Sequence, residues 1–376
     1  MINLFNVSFN DDIKALILDT LDSKAIASGP YVTELERNLA EIYAGKQALA
    51  VNDMTNGMTI LLSALGLSTG DEVIASPFSC LATTSPMALL GIKPVWTDVD
   101  PNTLALDLHS VEKNISSKTK AILIYHVAGY PSNVQELKKI AEDNNLYVIE
   151  DCNSAFGSEY NNDLLGSVAD ATVLSFYPNR QVGSIDGGAI LFKDSSNYEL
   201  AKLRRRYGVD FNGFRKPNGE INEEKDVATY GYSATMNNIS AGIINKKLST
   251  YKDEMRATRK NVATLRALID ELHYKYGSIK NVTPLENSIL NNWVLFVELE
   301  NKEKFLNEMK AQEIHTSSLH LRNDLYTCFN TEHTNLPGID KIAEKHVALP
   351  CGYWLNDNAI SLISEALIKT VSAQAM

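Results

Sequence analysis

Cysteine is scarce: the 376 residues hold four, Cys80, Cys152, Cys328 and Cys351, none close to another in sequence. That spacing excludes a disulfide framework and a zinc site built from close-set pairs, and no metal is expected. Long apolar runs are also missing. Nothing approaches the ~20 residues of a membrane span, and the first residues, Met1 to Asn6, carry no basic stretch followed by an apolar one. A cytoplasmic protein with no membrane partner is the expectation. Positive charge is in deficit, with 35 Lys and Arg against 46 Asp and Glu for a net charge of −11. The basic residues do not gather into a patch that could neutralise a phosphate backbone, so no nucleic acid partner is expected. The triplet Arg204-Arg205-Arg206 does not alter this, because three successive helical residues point in different directions. Internal repeats and low-complexity segments are absent. What remains is ordinary globular composition, 44% hydrophobic and 22% charged, in a chain long enough for a large core and a smaller second domain.

From about residue 47 to 193, short apolar runs alternate with amphipathic stretches, the pattern of a mostly parallel sheet covered on both faces. Seven strands are predicted: Ala48 to Asn52, Glu72 to Ser76, Lys93 to Val99, Lys120 to His126, Leu146 to Asp151, Ala171 to Phe176 and Gly188 to Phe192. Val134 to Asp143 reads as a helix with Ser132 as its N-cap. Residues 208–230, rich in Gly, Asn, Lys and Glu and without periodicity, read as a long exposed loop of the kind that carries function or bridges subunits. Apolar positions keep helical spacing from Asn238 to Leu272. A region of alternating strands and helices follows, with Asn292 to Glu298, Lys302 to Gln312 and Asn356 to Thr370 as its elements. The expected division is a large α/β domain over 1–238, with N-terminal helices and the long loop, and a small C-terminal α+β domain over 239–376.

The segment Val148-Ile149-Glu150-Asp151-Cys152 is an apolar strand that ends in a carboxylate. It puts Asp151 at the C-terminal edge of the sheet, where open α/β sheets bind ligands. Downstream come Ser175-Phe176-Tyr177-Pro178-Asn179-Arg180, then Asp186-Gly187-Gly188 opening the next strand. This succession resembles the DegT/DnrJ/EryC1/StrS family of pyridoxal-phosphate (PLP) dependent sugar aminotransferases. The likeness continues through Gly29-Pro30-Tyr31-Val32, Gly70-Asp71-Glu72-Val73-Ile74, Asp98-Val99-Asp100-Pro101 and His126-Val127-Ala128-Gly129-Tyr130-Pro131. Gly231-Tyr232 with Met236-Asn237, and Leu349-Pro350, extend it over nearly the whole chain.

The resemblance implies a fold-type-I PLP-dependent transferase, aspartate aminotransferase-like, and a homodimer with shared active sites to which residues 208–238 contribute. It also implies roles. Thr55, with Asn56 beside it, would seat the cofactor phosphate at a helix N-terminus, a placement that free N–H groups favour. Ser175 would add a second hydroxyl. Asp151 would pair with the pyridinium nitrogen and keep the ring an electron sink. Tyr177, His320 and Arg322 fall on the substrate side, and His126 is either a catalytic group at the cofactor face or a structural hydrogen-bond donor. The expected substrate is a nucleotide-linked keto-deoxysugar of polysaccharide or antigen biosynthesis, with glutamate as amino donor. Plainer readings exist for single residues: a Thr at a helix start is often only a cap, and a strand-end Asp only a turn residue.

The pattern breaks at Arg180, which stands where the family has the lysine that forms the internal aldimine. A Schiff base needs a neutral primary amine, and a guanidinium with a pKa above ~12 supplies neither that nor a ready proton. The nearest lysines, Lys193 and Lys202, lie past the next strand or on the following helix. Met54 replaces a small residue before Thr55, and Cys80 occupies an aromatic's slot against the ring. Ser154 replaces a Gln near the ring, and Ser233 an Asn that reaches across the dimer. The cofactor, PLP or pyridoxamine phosphate (PMP), is therefore expected to bind non-covalently. Three readings stand: a sugar aminotransferase with impaired or altered chemistry, a relative of the PMP-dependent sugar dehydratases, or a non-catalytic protein in which Arg180 clamps an anion or pairs with Asp151.

Overall fold

The seven apolar runs form one sheet in the computed structural model, which describes residues 1–7, 9–331 and 334–374. Its strands are β1 (Gln47–Val51), β2 (Glu72–Ala75), β3 (Lys93–Trp96), β4 (Thr119–Tyr125) and β5 (Tyr147–Asp151). After a short hairpin, β6 (Glu159–Tyr160) and β7 (Asp163–Leu164), come β8 (Ala171–Ser175) and β9 (Gly188–Phe192). The order is β1-β9-β8-β5-β4-β2-β3. Only β9 runs antiparallel to its neighbours, β1 and β8. Leu49, Val73, Ile122, Ile149, Val173 and Ile190 are fully buried, as expected of strands covered on both faces.

The helices are α1 (Asp11–Asp22), α2 (Pro30–Ile42), α3 (Met54–Ala64), α4 (Leu81–Leu90), α5 (Leu108–Lys113), α6 (Val134–Asp143) and α7 (Ser195–Arg205). They continue with α8 (Asn238–Leu248), α9 (Tyr251–Tyr276), α10 (Lys302–Ala311), α11 (Pro337–Lys345) and α12 (Asp357–Gln374). The helical stretch from residue 238 is thus two helices. Their break coincides with Ser249 and Thr250, whose hydroxyls bond back to the carbonyls of Lys246 and Lys247, a competitor to helical bonding. Ser132 is not the cap of α6. Asn133 holds that position without a side-chain bond, because the Ser132 hydroxyl accepts the Leu106 N–H at 3.1 Å.

A second sheet, β10 (Ile279–Asn281), β12 (Leu295–Leu299) and β13 (His346–Leu349), is antiparallel in the order β10-β12-β13, and β11 (Ser288–Ile289) joins the β6–β7 hairpin. Its core, with Leu265, Phe305, Val347 and Leu367, begins at Val262. Tyr251 and Met255 pack instead with the large sheet, so α9 belongs to both cores. Residues 208–230 contain no helix or strand, only an isolated pairing of Arg215 with Ile221, and are mostly exposed. Among the described residues, no helix is long and apolar enough to cross a membrane.

Candidate functional site

The C-terminal ends of β4, β5 and β8 bring Tyr125, Asp151 and Ser175 to one edge. Tyr125 and Asp151 are register partners on adjacent parallel strands and therefore share a face. Asp151 is completely buried. Its Oδ2 accepts the Thr83 hydroxyl at 2.6 Å and its Oδ1 the Asn153 N–H at 2.9 Å. Burial pushes the carboxyl up to about 6, against the pull of the Thr83 and Asn153 bonds and the nearby Arg180.

The preceding residue faces the other way. Glu150 accepts N–H bonds from Gly166 and Ala169 and lies 3.0 Å from His126 Nε2. Since His126 Nδ1 accepts the Ser132 N–H at 3.3 Å, Nε2 carries the proton and donates it to Glu150. His126 is thus a buried structural donor on the face opposite Asp151, and the catalytic position considered for it is corrected. With Cys152 these two make a group at metal-ligand spacing, but both Glu150 oxygens are already engaged by donors.

Tyr125 was missed by the sequence reading. Its hydroxyl lies 2.8 Å from His320 Nε2, and Phe78 meets the imidazole edge-on at 5.6 Å between ring centroids. Burial, then Arg180, depresses His320 to about 3, while burial and Asp151 raise the Tyr125 hydroxyl. Both are neutral at pH 7. A base whose folded pKa lies below its unfolded value contributes stability that is intact above about 6.5 and lost as pH falls towards 3. Replacing His320 with Gln is therefore expected to flatten the loss of denaturation free energy between pH 7 and 5, by at most roughly 1.4 kcal/mol per unit. Equal slopes in urea titrations of the two proteins would contradict this.

On the phosphate side, Thr55 is the second residue of α3, whose N-cap is Asp53. The first backbone bond of the helix is Gly57 N–H to Asp53 O, so the N–H groups of Met54 and Thr55 precede the helical ladder and can face an anion. Gly188 abuts this terminus so closely that a Cβ there would sit 2.9 Å from Asp53 C and Met54 N. Asn56 corrects an expectation: its N–H bonds Asp53 Oδ1 at 2.8 Å and its side-chain amide bonds Asp53 Oδ2 at 2.6 Å. It is occupied within the cap. The Ser175 hydroxyl accepts the Tyr177 N–H at 3.3 Å.

Arg180 sits in a turn closed by Phe176 N–H to Gly187 O and Ser184 N–H to Phe176 O. At Gly183 a Cβ would meet Pro178 O at 2.4 Å, so the turn needs glycine there. The guanidinium lies over the Trp293 ring, 4.4 Å from its centroid, and Trp293 is fixed by its Nε1–H bond to Asn179 O at 2.7 Å and by stacking on Phe5. Asp151 attracts Arg180, yet the two are not among the ion pairs of the described residues. The structural Asp151–Arg180 pair considered from sequence does not form.

Lys193 directly follows β9 at the far edge of the sheet and Lys202 is exposed on α7. Buried Lys46, lowered by burial to about 8, precedes β1 at the same far edge and donates to Gly166 O and Thr172 Oγ1. A lysine that the sequence did not bring near Arg180 is Lys247, on α8, which lines one small cavity with it.

The remaining candidates separate. Cys80 is the half-buried N-cap residue of α4 and adds to the field at Arg180 and Tyr125. Ser154 is fully buried at the same edge, and Tyr177 is exposed. Ser233 is exposed and shares a 3.0 Å bond with the Tyr207 hydroxyl, with no contact to this chain's own Asp151. Arg322 is a correction. It is buried in a fork on Asp324, at 3.0 and 2.5 Å, with Asp340 as a further partner. A buried pair broken on one side is strongly destabilising, so Arg322→Ala is expected to cost about 3–5 kcal/mol in unfolding free energy while cofactor retention by the folded fraction is unchanged. A loss under 1 kcal/mol in urea titration, on the scale of an exposed pair, would contradict the structural role.

The edge as a whole offers a buried carboxylate, a helix N-terminus with a hydroxyl, a second hydroxyl and a neutral Tyr–His pair, but among the described residues no amine. Against known proteins, a profile of the DegT/DnrJ/EryC1/StrS aminotransferase family matches residues 8–368. The UDP-2-acetamido-2-deoxy-3-oxo-D-glucuronate aminotransferase of Pseudomonas aeruginosa is 29% identical over 360 residues, 95% of each chain. GDP-perosamine synthase of Escherichia coli is 26% identical over 369 residues, 97% of each. A solved sugar aminotransferase from Micromonospora echinospora matches with a TM-score of 0.89 at 27% identity, covering 98% of this chain and 100% of that one.

Proposed function

Because the chain belongs to the DegT/DnrJ/EryC1/StrS aminotransferase family, we propose that it holds PLP or PMP without a covalent bond and acts on a nucleotide-linked keto-deoxysugar, with chemistry altered by Arg180. The family's cofactor is PLP or PMP. The observation that carries the proposal is Asp151, a completely buried carboxylate at the strand end whose ionisation is costly unless a cation meets it. A pyridinium is such a cation. Asn153 Oδ1, buried at the same edge without a hydrogen-bond partner, and the buried hydroxyl of Ser154 also suit a polar ligand. Thr55, the Met54 and Thr55 N–H groups and Ser175 would hold the phosphate. When bound, the cofactor supplies the electron sink for a carbanion formed beside its ring.

The chain's own residues then divide the work. Asp151 orients and charges the ring. Arg180 cannot accept a proton at neutral pH, so it serves as a fixed positive charge. A homodimer, with the loop at 208–238 completing each pocket, belongs to the same proposal. It is supported by the exposed side chains of Phe211, Ile221 and Tyr230.

The Tyr125–His320 pair, 2.8 Å apart at the edge where Asp151 lies, favours one second reading, a PMP-dependent sugar dehydratase-like enzyme, since it sets an imidazole and a phenol hydroxyl, groups able to exchange a proton, where Arg180 supplies only a permanent cation. Nucleotide-linked keto-deoxysugar products distinguish the two: an amino sugar supports the first, loss of a hydroxyl the second. The first experiment mixes the protein with PLP or PMP, removes free cofactor by gel filtration and assays what stays bound. Stoichiometric retention, released by denaturation and not trapped by hydride reduction, is expected. If neither cofactor is retained, the catalytic proposals fail and a ligand-binding protein of the same fold is left.

A further inference from the structure

Asp151 is held by a helix that a distant segment of the chain holds in turn. Thr83, in the first turn of α4, donates its hydroxyl to Asp151 Oδ2 at 2.6 Å, and neither residue is more than 1% exposed. That length is typical of a hydroxyl on an ionised carboxylate. Helical threonines often return the hydroxyl to a carbonyl of the preceding turn, as Thr20, Thr59 and Thr258 do here with Leu16, Thr55 and Glu254. Thr83 gives its proton to another element instead.

The next residue serves a different partner. The Thr84 hydroxyl, fully buried, accepts a bond from Asn323 Nδ2 at 2.8 Å. The same amide group reaches Ser79 Oγ at 3.1 Å and Ser79 O at 3.2 Å, and the Asn323 N–H bonds Pro77 O at 2.8 Å. Asn323 comes from the segment between α10 and α11 and is 1% exposed. It therefore grips the chain both before and after Thr83.

We propose that Thr83 is a positioning residue for Asp151, keeping its carboxylate ionised and aimed at the cofactor ring, and that Asn323 sets Thr83 through α4. The role rests on the reading of Asp151 as the partner of a pyridinium, but the coupling between Thr83 and the charge on Asp151 exists without a cofactor. Burial raises the Asp151 carboxyl to about 6, and the Thr83 hydroxyl leads the groups that hold it down, ahead of the Asn153 N–H, Arg180 and His126. A donor to the charged form favours that form. Without the Thr83 hydroxyl the carboxyl moves further up, towards an uncharged acid that gains little from a pyridinium.

The test is urea unfolding of the full-length, cofactor-free protein from pH 5 to 8. It compares wild type, Thr83→Val, Thr83→Ser and Asn323→Leu, each with Asp151 and with Asp151→Asn. A carboxyl raised in the folded state contributes stability below its unfolded value and loses it as pH rises through the folded one. In Thr83→Val that loss runs on to higher pH. The penalty of the substitution is therefore expected to grow between pH 5 and 8, about tenfold in the unfolding equilibrium constant for every pH unit by which the carboxyl moves up. Burial keeps Tyr125 and Cys152 protonated over this range and His320 neutral, while Arg180 and His126 are common to every protein. In the Asp151→Asn background the penalty is expected to be the same at every pH. Thr83→Ser, which keeps the hydroxyl, is expected to lack the pH-dependent part and Asn323→Leu to reproduce most of it. A Thr83→Val penalty that is flat with pH, that survives Asp151→Asn, or that Thr83→Ser shares would overturn the role of Thr83. A flat penalty in Asn323→Leu would overturn the relay through α4.

Equilibrium dialysis with PMP carries the role to the site. Thr83→Val is expected to bind PMP roughly fivefold more weakly than wild type at pH 6, for a carboxyl moved up by one pH unit, with no further loss in the Asp151→Asn background. Equal affinities would overturn the cofactor part of the role. A wild type that retains no PMP would overturn the functional reading and that part with it, while the unfolding series decides the coupling to Asp151 by itself.

Discussion

Arg180→Lys is expected to turn a protein that holds PLP reversibly into one that holds it through a covalent bond. The substitution puts a primary amine on the same backbone position, in a turn fixed by the Phe176–Gly187 and Ser184–Phe176 bonds and by Gly183. Burial, which already depresses the guanidinium, acts in the same direction on an ammonium and raises its neutral, nucleophilic fraction. The change costs the contact with Trp293, worth about 0.5–2 kcal/mol, which the smaller desolvation burden of a neutral amine offsets. Intact mass after hydride reduction is the measurement: stoichiometric cofactor addition to Arg180→Lys and none to the wild type. If Arg180→Lys retains PLP but is never labelled, residue 180 does not face the ring, and the altered-chemistry reading falls with it.

The second large effect falls on Asp151. Asp151→Asn keeps the shape of the side chain and the acceptor for the Asn153 N–H but removes the charge that a pyridinium would meet. A charged hydrogen bond of this kind contributes about 1.5–3 kcal/mol, so PLP and PMP are expected to bind roughly 10- to 100-fold more weakly in equilibrium dialysis. Stability should move the other way. A carboxyl whose folded value is raised to about 6 is most favourable to folding below its unfolded value near 3.9 and loses that contribution as pH rises through 6. Above pH 7 the cofactor-free Asn protein should melt no lower than wild type, and by at most about 3 kcal/mol it should be more stable. Cofactor affinity equal to wild type would remove Asp151 from the site.

Much of this was legible along the chain. The seven strands stand where apolar runs bounded by turn residues put them, because a strand buried on both faces must be apolar throughout. Asp151 was legible as the polar end of such a run. Thr55 was legible as a helix start, though its neighbour Asn56 was not, since a side chain next to a cap can serve the cap as readily as a ligand. Arg322 looked like a substrate residue because its place resembles the family's substrate-side loop, and a resemblance in order does not say whether a charge is already paired. Its burial depends on Asp324 and Asp340 folding over it.

The sequence by itself determined the family, the alternation that makes a mostly parallel sheet, the carboxylate at its edge and the identity of residue 180 as an amine-free cation. Those are local or collinear properties, written in period and order. Only the tertiary structure decided which side chains meet across long separations. Tyr125 reaches His320 across 195 positions, Arg180 rests on Trp293 rather than on Asp151, and Lys247 opens into the same cavity. The physical reason is that periodicity fixes the face a residue occupies within its own element, while its partner is set by strand register and by loops whose closure couples distant segments.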